Sequence, residues 1–182
     1  MQWIIPGTVL TGQREDPVQT EQQLRSMFLG GGIALSQVAS VTGLEPYAIQ
    51  NWVKRGFLTK PQQKRYTLRQ LCRIININML KSVLPMEQIC GLLSYVNGVL
   101  GDESDDLIDD SVLYFMFLRI AARFSAIHSA EERDLLIAQE LEGYAEPQPG
   151  AKDRVEKVLR IFLTAWASAQ LRLLTENMVS QL

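Results

Sequence analysis

The 182-residue chain has one histidine and two cysteines, and it has no apolar run approaching membrane-spanning length. Each shortage excludes something. His128 stands without a nearby nucleophile pattern, and there is no Gly-x-Ser-x-Gly element, so nothing points to nucleophilic or acid–base catalysis and the chain is not expected to be an enzyme. Cys72 and Cys90 form no Cys-x-x-Cys pair and fall on apolar helical stripes, which predicts buried free thiols in a reducing compartment and neither a metal site nor a disulfide. Residues 3–6 form only a short apolar patch with no basic prelude, so the reading is a cytoplasmic protein that needs no cofactor.

Acidic residues are missing from one long stretch. Residues 46–86 carry Lys54, Arg55, Lys60, Lys64, Arg65, Arg69, Arg73 and Lys81 and no Asp or Glu. Those eight cations, against a whole-chain balance of -2, leave -10 for the remainder. Six of the acids crowd into Asp102, Glu103, Asp105, Asp106, Asp109 and Asp110. A protein that is acidic overall can still meet a polyanion through such a local excess of positive charge.

What is present is helical patterning, with hydrophobic residues at 47% supplying a core. Residues 1–21, with Pro6, Gly7, Gly12 and Pro17, read as an irregular arm, and residues 22–29 as a short helix. Gly30, Gly31 and Gly32 lack the strand and the Lys-Ser or Lys-Thr pair of a phosphate loop, and read as a joint. Ser36 is placed to cap a helix that turns Val38, Ala39 and Val41 inward and stops at Gly43. Pro46 suits the first turn of a second helix, which buries Ile49, Trp52 and Val53 and stops at Gly56. Two short helices joined by a four-residue turn have helix-turn-helix spacing.

Residues 59–66 are long enough only for a tight hairpin or wing, after which Thr67 and Gln70 form a capping box opening a helix through Met79. Pro85 and Glu87 open another. Helices are expected over 112–127, 131–141 and 151–181, the last following Pro147, Pro149 and Gly150. The expectation is an all-α fold with a short wing. It divides into an N-terminal arm and short helix (1–31), a winged helix-turn-helix (32–98) and a helical C-terminal domain (99–182) for dimerisation or sensing.

A recognition helix reads bases from the face opposite its core stripe. That face holds Tyr47, Gln50, Asn51 and Lys54; Gln50 and Asn51 suit adenine, and Lys54 suits guanine or phosphate. Gln50 and Asn51 also suit a plain solvated surface. Arg55, Lys60, Lys64, Arg65 and Arg69 suit phosphates, which position a protein without reading sequence. Tyr66 either packs beneath the wing or offers its hydroxyl to a phosphate. The acidic run lacks the glycine and glutamate of a calcium loop, since the sixth and twelfth places from Asp102 hold Leu107 and Leu113. Asp109 and Asp110 instead suit the positive end of the helix that follows.

The ungapped run Leu35-Ser-Gln-Val-Ala-Ser-Val-Thr-Gly43, Leu44-Glu-Pro46, Ile49, Lys54 and Gly56-Phe-Leu58, continued by Arg65-Tyr66 and Leu84-Pro-Met-Glu-Gln-Ile89, resembles the MerR family of bacterial regulators. The wording Ile49-Gln-Asn-Trp-Val-Lys-Arg-Gly56 and Asp102-Glu-Ser-Asp-Asp106 is most similar to a bacterial branch catalogued as a domain of unknown function. The resemblance covers about residues 32–118. It implies a winged helix-turn-helix transcription regulator that binds double-stranded DNA as a homodimer. It also departs from the family, with Gln50 and Asn51 where that family has arginine and tyrosine, and with no Asn-Gly turn in the wing. The alternative is a helical protein-interaction module that keeps the helix-turn-helix as a scaffold and meets a partner through the acidic run or residues 165–170. A pocket for an unknown small-molecule effector, lined by Phe115, Phe124, Phe162 and Trp166, is compatible with either.

Overall fold

The structure is a computed structural model that describes residues 3–124 and 129–182. It is mainly helical, with four two-residue strands among the described residues. In chain order these are β1 (Trp3–Ile4), β2 (Thr11–Gly12), α1 (Pro17–Ser26), β3 (Ile33–Ala34), α2 (Leu35–Thr42), α3 (Pro46–Lys54), β4 (Arg65–Tyr66), α4 (Leu68–Leu80), α5 (Met86–Asn97), α6 (Asp110–Arg123), α7 (Ala130–Glu140) and α8 (Ala151–Val179). No described helix is long and apolar enough to cross a membrane.

The N-terminal segment is more ordered than its composition implies. β1 pairs antiparallel with β2, Trp3 opposite Gly12, and α1 starts five residues earlier than its apolar pattern indicated. Asp16 caps α1 by accepting from the Gln19 N–H at 2.9 Å, and Pro17 occupies the first turn, where a missing N–H costs nothing. Two-residue strands are too short to alternate visibly, and the segment is held by distant partners instead. Ile5 is fully buried, the Tyr114 hydroxyl donates to the Pro6 carbonyl at 2.9 Å, and Asn78 Nδ2 donates to the carbonyls of Gly7 and Thr42.

α6 runs through the centre of the core. It packs on α4, α7, α8 and α1, with Leu113, Tyr114, Phe115, Phe117 and Leu118 buried. Phe115 and Phe162 lie inside this core, and Phe117 meets Phe162 and Trp166 edge-on at centroid distances of 5.9 and 6.3 Å. Phe115, Phe124 and Phe162 are thus packing residues, while Trp166 also borders a recess with Trp3, Arg14 and Gln170. Arg119 ties three helices together, reaching Glu21 of α1 at 2.5 Å and Glu140 at the end of α7 at 2.7 Å. The buried cluster runs without a break from α2–α4 to α6–α8, across Gly98 and Gly101.

Several boundaries moved. α2 begins at Leu35, because Gln37 Oε1 accepts from the Ala34 N–H at 2.9 Å and makes Ala34, not Ser36, the cap. α6 starts at Asp110 and ends at Arg123; His128 and the rest of 125–128 lie outside the described residues. The Thr67–Gln70 capping box is present in both directions, at 2.9 and 3.2 Å. Both cysteines are free, Cys72 buried and Cys90 half-buried, and burial raises both thiol pKa values, that of Cys72 strongly.

Candidate nucleic-acid interface

α2 and α3 meet at Gly43, whose φ of 68° is the left-handed conformation that ends α2 and that a side chain would strain. Pro46 sits in the first turn of α3 and fixes where it starts. Ile49 (0% exposed) and Trp52 (7%) face the core, and Lys81 Nζ lies over the Trp52 ring at 5.9 Å. The opposite face carries Tyr47 at 76% exposure, with Gln50 and Lys54 exposed and Asn51 half-buried. At spacings of three, four and seven residues, all four share one side of the helix.

Beside that face stands a hairpin. β4 pairs antiparallel with β3, Ile33 opposite Tyr66 and Ala34 opposite Arg65. α2 and α3 lie between these two strands in the chain, and the tight turn of the hairpin precedes β4, where Gln62 bridges Arg65 and the Arg65 N–H donates to the Gln62 carbonyl at 2.8 Å. The turn's two central residues, Gln63 and Lys64, have φ of 48° and 62°, the sign pattern of a type I′ turn, formed here without Asn or Gly. Close approach explains Gly32: a Cβ there would lie 2.7 Å from the Tyr66 carbonyl oxygen. Gln70 of α4 steadies the segment that leads into the turn by donating to Thr59 Oγ1 at 2.9 Å and to the Thr59 and Lys60 carbonyls. Between α3 and the hairpin lies a recess of about 430 Å³ bordered by Leu35, Gln50, Val53, Pro61, Lys64 and Tyr66.

The expected phosphate contacts fall into two groups. Lys60 and Lys64 are exposed at the hairpin. Arg65 is also exposed, though its Nη1 donates to the Gly32 carbonyl at 2.8 Å, and Arg55 stacks on Phe57 with the guanidinium carbon 4.7 Å from the ring centre. Tyr66 is buried, its hydroxyl pKa raised by that burial, so it is the packing residue of the hairpin.

Arg69 is different, because here its guanidinium is already engaged by carboxylates. It is clasped by the acidic run: Asp106 at 2.5 Å, Glu103 at 3.3 Å, and Asp109 and Asp110 each at 3.7 Å. Burial works against its charge, but the hydrogen bond and charge of Asp106, with Asp110 and Asp109, more than offset this and raise its pKa. One turn on, Arg73 donates from Nε to the Phe57 carbonyl at 3.1 Å and faces Asp110 at 3.4 Å. Asp110 is almost wholly buried, and burial pushes its pKa up to about 6 even though Arg73 and Arg69 pull it down. Asp109 caps α6, accepting from the Ser111 and Val112 N–H groups.

The sequence placed the acids at the start of α6 but could not reveal that they fold back over 37 residues onto α4. The available signal was charge complementarity, two arginines one helical turn apart against a run of carboxylates. Six of the eight cations in the acid-free stretch are not paired to that run.

Residues 33–117 match the family model described as "Domain of unknown function (DUF1836)". The match begins at β3 and ends inside α6, so it takes in the hairpin, both arginines and the acidic run. A protein of Bacillus subtilis (strain 168) described as "Uncharacterized protein YkrK" is 31% identical over 86 residues, which span 45% of this chain and 37% of that protein's length. No solved structure matches. The shared region of this chain is therefore the basic two-helix and hairpin unit together with the acidic segment that closes on it.

Proposed function

We propose that this protein is a sequence-specific DNA-binding transcription regulator of MerR-like winged helix-turn-helix type, acting as a homodimer. The observation that carries the reading is the outer face of α3: Tyr47, Gln50, Asn51 and Lys54 lie together on a helix whose other face is core, beside a hairpin presenting Lys60 and Lys64. α3 enters the major groove, where Gln50 or Asn51 pairs bidentately with adenine and Lys54 takes guanine or phosphate. Lys60, Lys64, Arg55 and Arg65 set the register on the backbone.

Binding of the full chain to random duplex, followed over a salt series, tests this. Affinity is expected to fall steeply as salt rises, the logarithm of the association constant dropping by about 0.9 per phosphate contact for each tenfold increase. No binding at low salt overturns the reading.

A second reading, a protein-interaction module, is favoured by the far end of α8, where Leu171, Leu173, Leu174 and Met178 are 45–63% exposed. Reversing charge at Lys54 and Arg65 separates the two. Loss of DNA binding with partner capture intact assigns this surface to nucleic acid; the converse assigns it to protein.

A further inference from the structure

The acidic run does more than cap α6. Glu103 and Lys60 border one cleft of about 310 Å³ between the hairpin and α4, with Arg69 and Gln70 on its wall, so an exposed carboxylate paired to Arg69 stands beside a cation offered to a phosphate. Glu103 is 76% exposed in its side chain and touches only Arg69 among the described cations. Asp106 spends one carboxylate oxygen on Arg69, while its other oxygen, Oδ1, is buried with no hydrogen-bond partner. A buried carboxylate oxygen left unpaired costs free energy, so the segment is held on Arg69 at a cost that its release would relieve.

We propose that residues 102–106 are a built-in phosphate mimic: their carboxylates occupy Arg69 and oppose the approach of a backbone to Lys60, so that duplex DNA must displace them to gain its full set of contacts. The inference rests on the DNA-binding reading and adds a regulation to the same site. It makes the resting protein a weakened binder. Full affinity follows when the segment is drawn away or its charge is neutralised by a bound cation or basic partner.

The test compares duplex affinity and salt dependence of the full-length wild type, Glu103→Gln, and Glu103→Gln combined with Asp106→Asn. Glu15→Gln serves as control; Glu15 is exposed, next to Arg14, which binds the carbonyls of Ala122 and Phe124 at the opposite end of α6. Glu103→Gln is expected to tighten binding about threefold and the double variant about tenfold or more. The double variant should also steepen the salt slope by about 0.9 as Arg69 gains a phosphate. The control should match wild type.

Glu103→Gln alters an exposed side chain, so it reads the effect even if Asp106→Asn disturbs the fold. Wild-type binding left unchanged or weakened by Glu103→Gln overturns the inference and leaves the DNA reading standing. No binding by any of the four proteins overturns both.

Discussion

The segment from α2 to α4 and the segment from α6 to α8 bury similar side chains but expose opposite kinds. α3 turns Ile49 and Trp52 inward and leaves amides, a phenol and a cation outside. α8 buries Val155, Val158, Leu159, Phe162 and Trp166 along its first half; from residue 171 on every residue is exposed, and those at 171, 174 and 178 are apolar. An outer face of hydrogen-bonding groups suits a hydrated polyanion, whereas apolar residues at three- and four-residue spacing suit another helix. The two faces point to different classes of partner. The Arg69 and Arg73 cluster joins the halves that carry them.

The sharpest way to break this contrast is within α3 itself. Ile49→Ala is expected to cost about 2–5 kcal/mol in urea unfolding, since it empties a fully buried site. Gln50→Ala should stay within about 0.5 kcal/mol of wild type and lose DNA affinity instead. Equal destabilisation by both would mean that the outer face is not free surface.

Next in size is the joint. Folding raises the Asp110 pKa from 3.8 to about 6, so the folded state holds the proton more tightly than the unfolded one. The associated stability is fully present below about pH 4 and is lost as pH rises through 6, a fall of about 3 kcal/mol at most. Asp110→Asn removes this titration, and its unfolding free energy between pH 4 and 7 should lack the wild-type descent. Parallel curves would refute the assignment.

The α8 face gives a smaller effect. If this face is the seam of the proposed homodimer, changing Leu171 and Leu174 both to Asp should weaken dimer association at least about tenfold in sedimentation, worth about 1.4 kcal/mol, with helicity retained. A monomeric wild type would remove the dimer from the proposal.

The smallest effect is at the hairpin turn. Replacing Gln63 by Asn and Lys64 by Gly relieves two left-handed non-glycine residues and should stabilise the fold by about 1 kcal/mol. Loss of the Lys64 charge should meanwhile flatten the salt slope of DNA binding by about 0.9, so stability and affinity would move in opposite directions.

Local chemistry was legible wherever a single residue type forces a backbone choice. Gly43 and Pro46 bracket the turn between α2 and α3, and Thr67 with Gln70 marks the start of α4. The N-terminal hairpin was not legible, because its strands are two residues long and its order comes from Tyr114 and Asn78. The tight hairpin over 59–66 was expected, but its turn at Gln63 and Lys64 was hidden because neither residue favours positive φ. The pairing of Arg69 was hidden for a related reason. A cation next to a basic hairpin looks free until the path of the chain brings carboxylates to it.

The tie between Tyr114 and Pro6 bears on the order of events during synthesis. Residues near the start of this sequence find their hydrogen-bond partner 108 positions later, and Arg14 finds its own at Ala122 and Phe124. While the chain is being made, α2 to α4 can form from neighbouring residues and Asn78 can then hold Gly7, but the Tyr114 and Arg14 ties wait until α6 has left the ribosome. The β1–β2 segment is then fully tied down only after a helix that follows it by about a hundred positions.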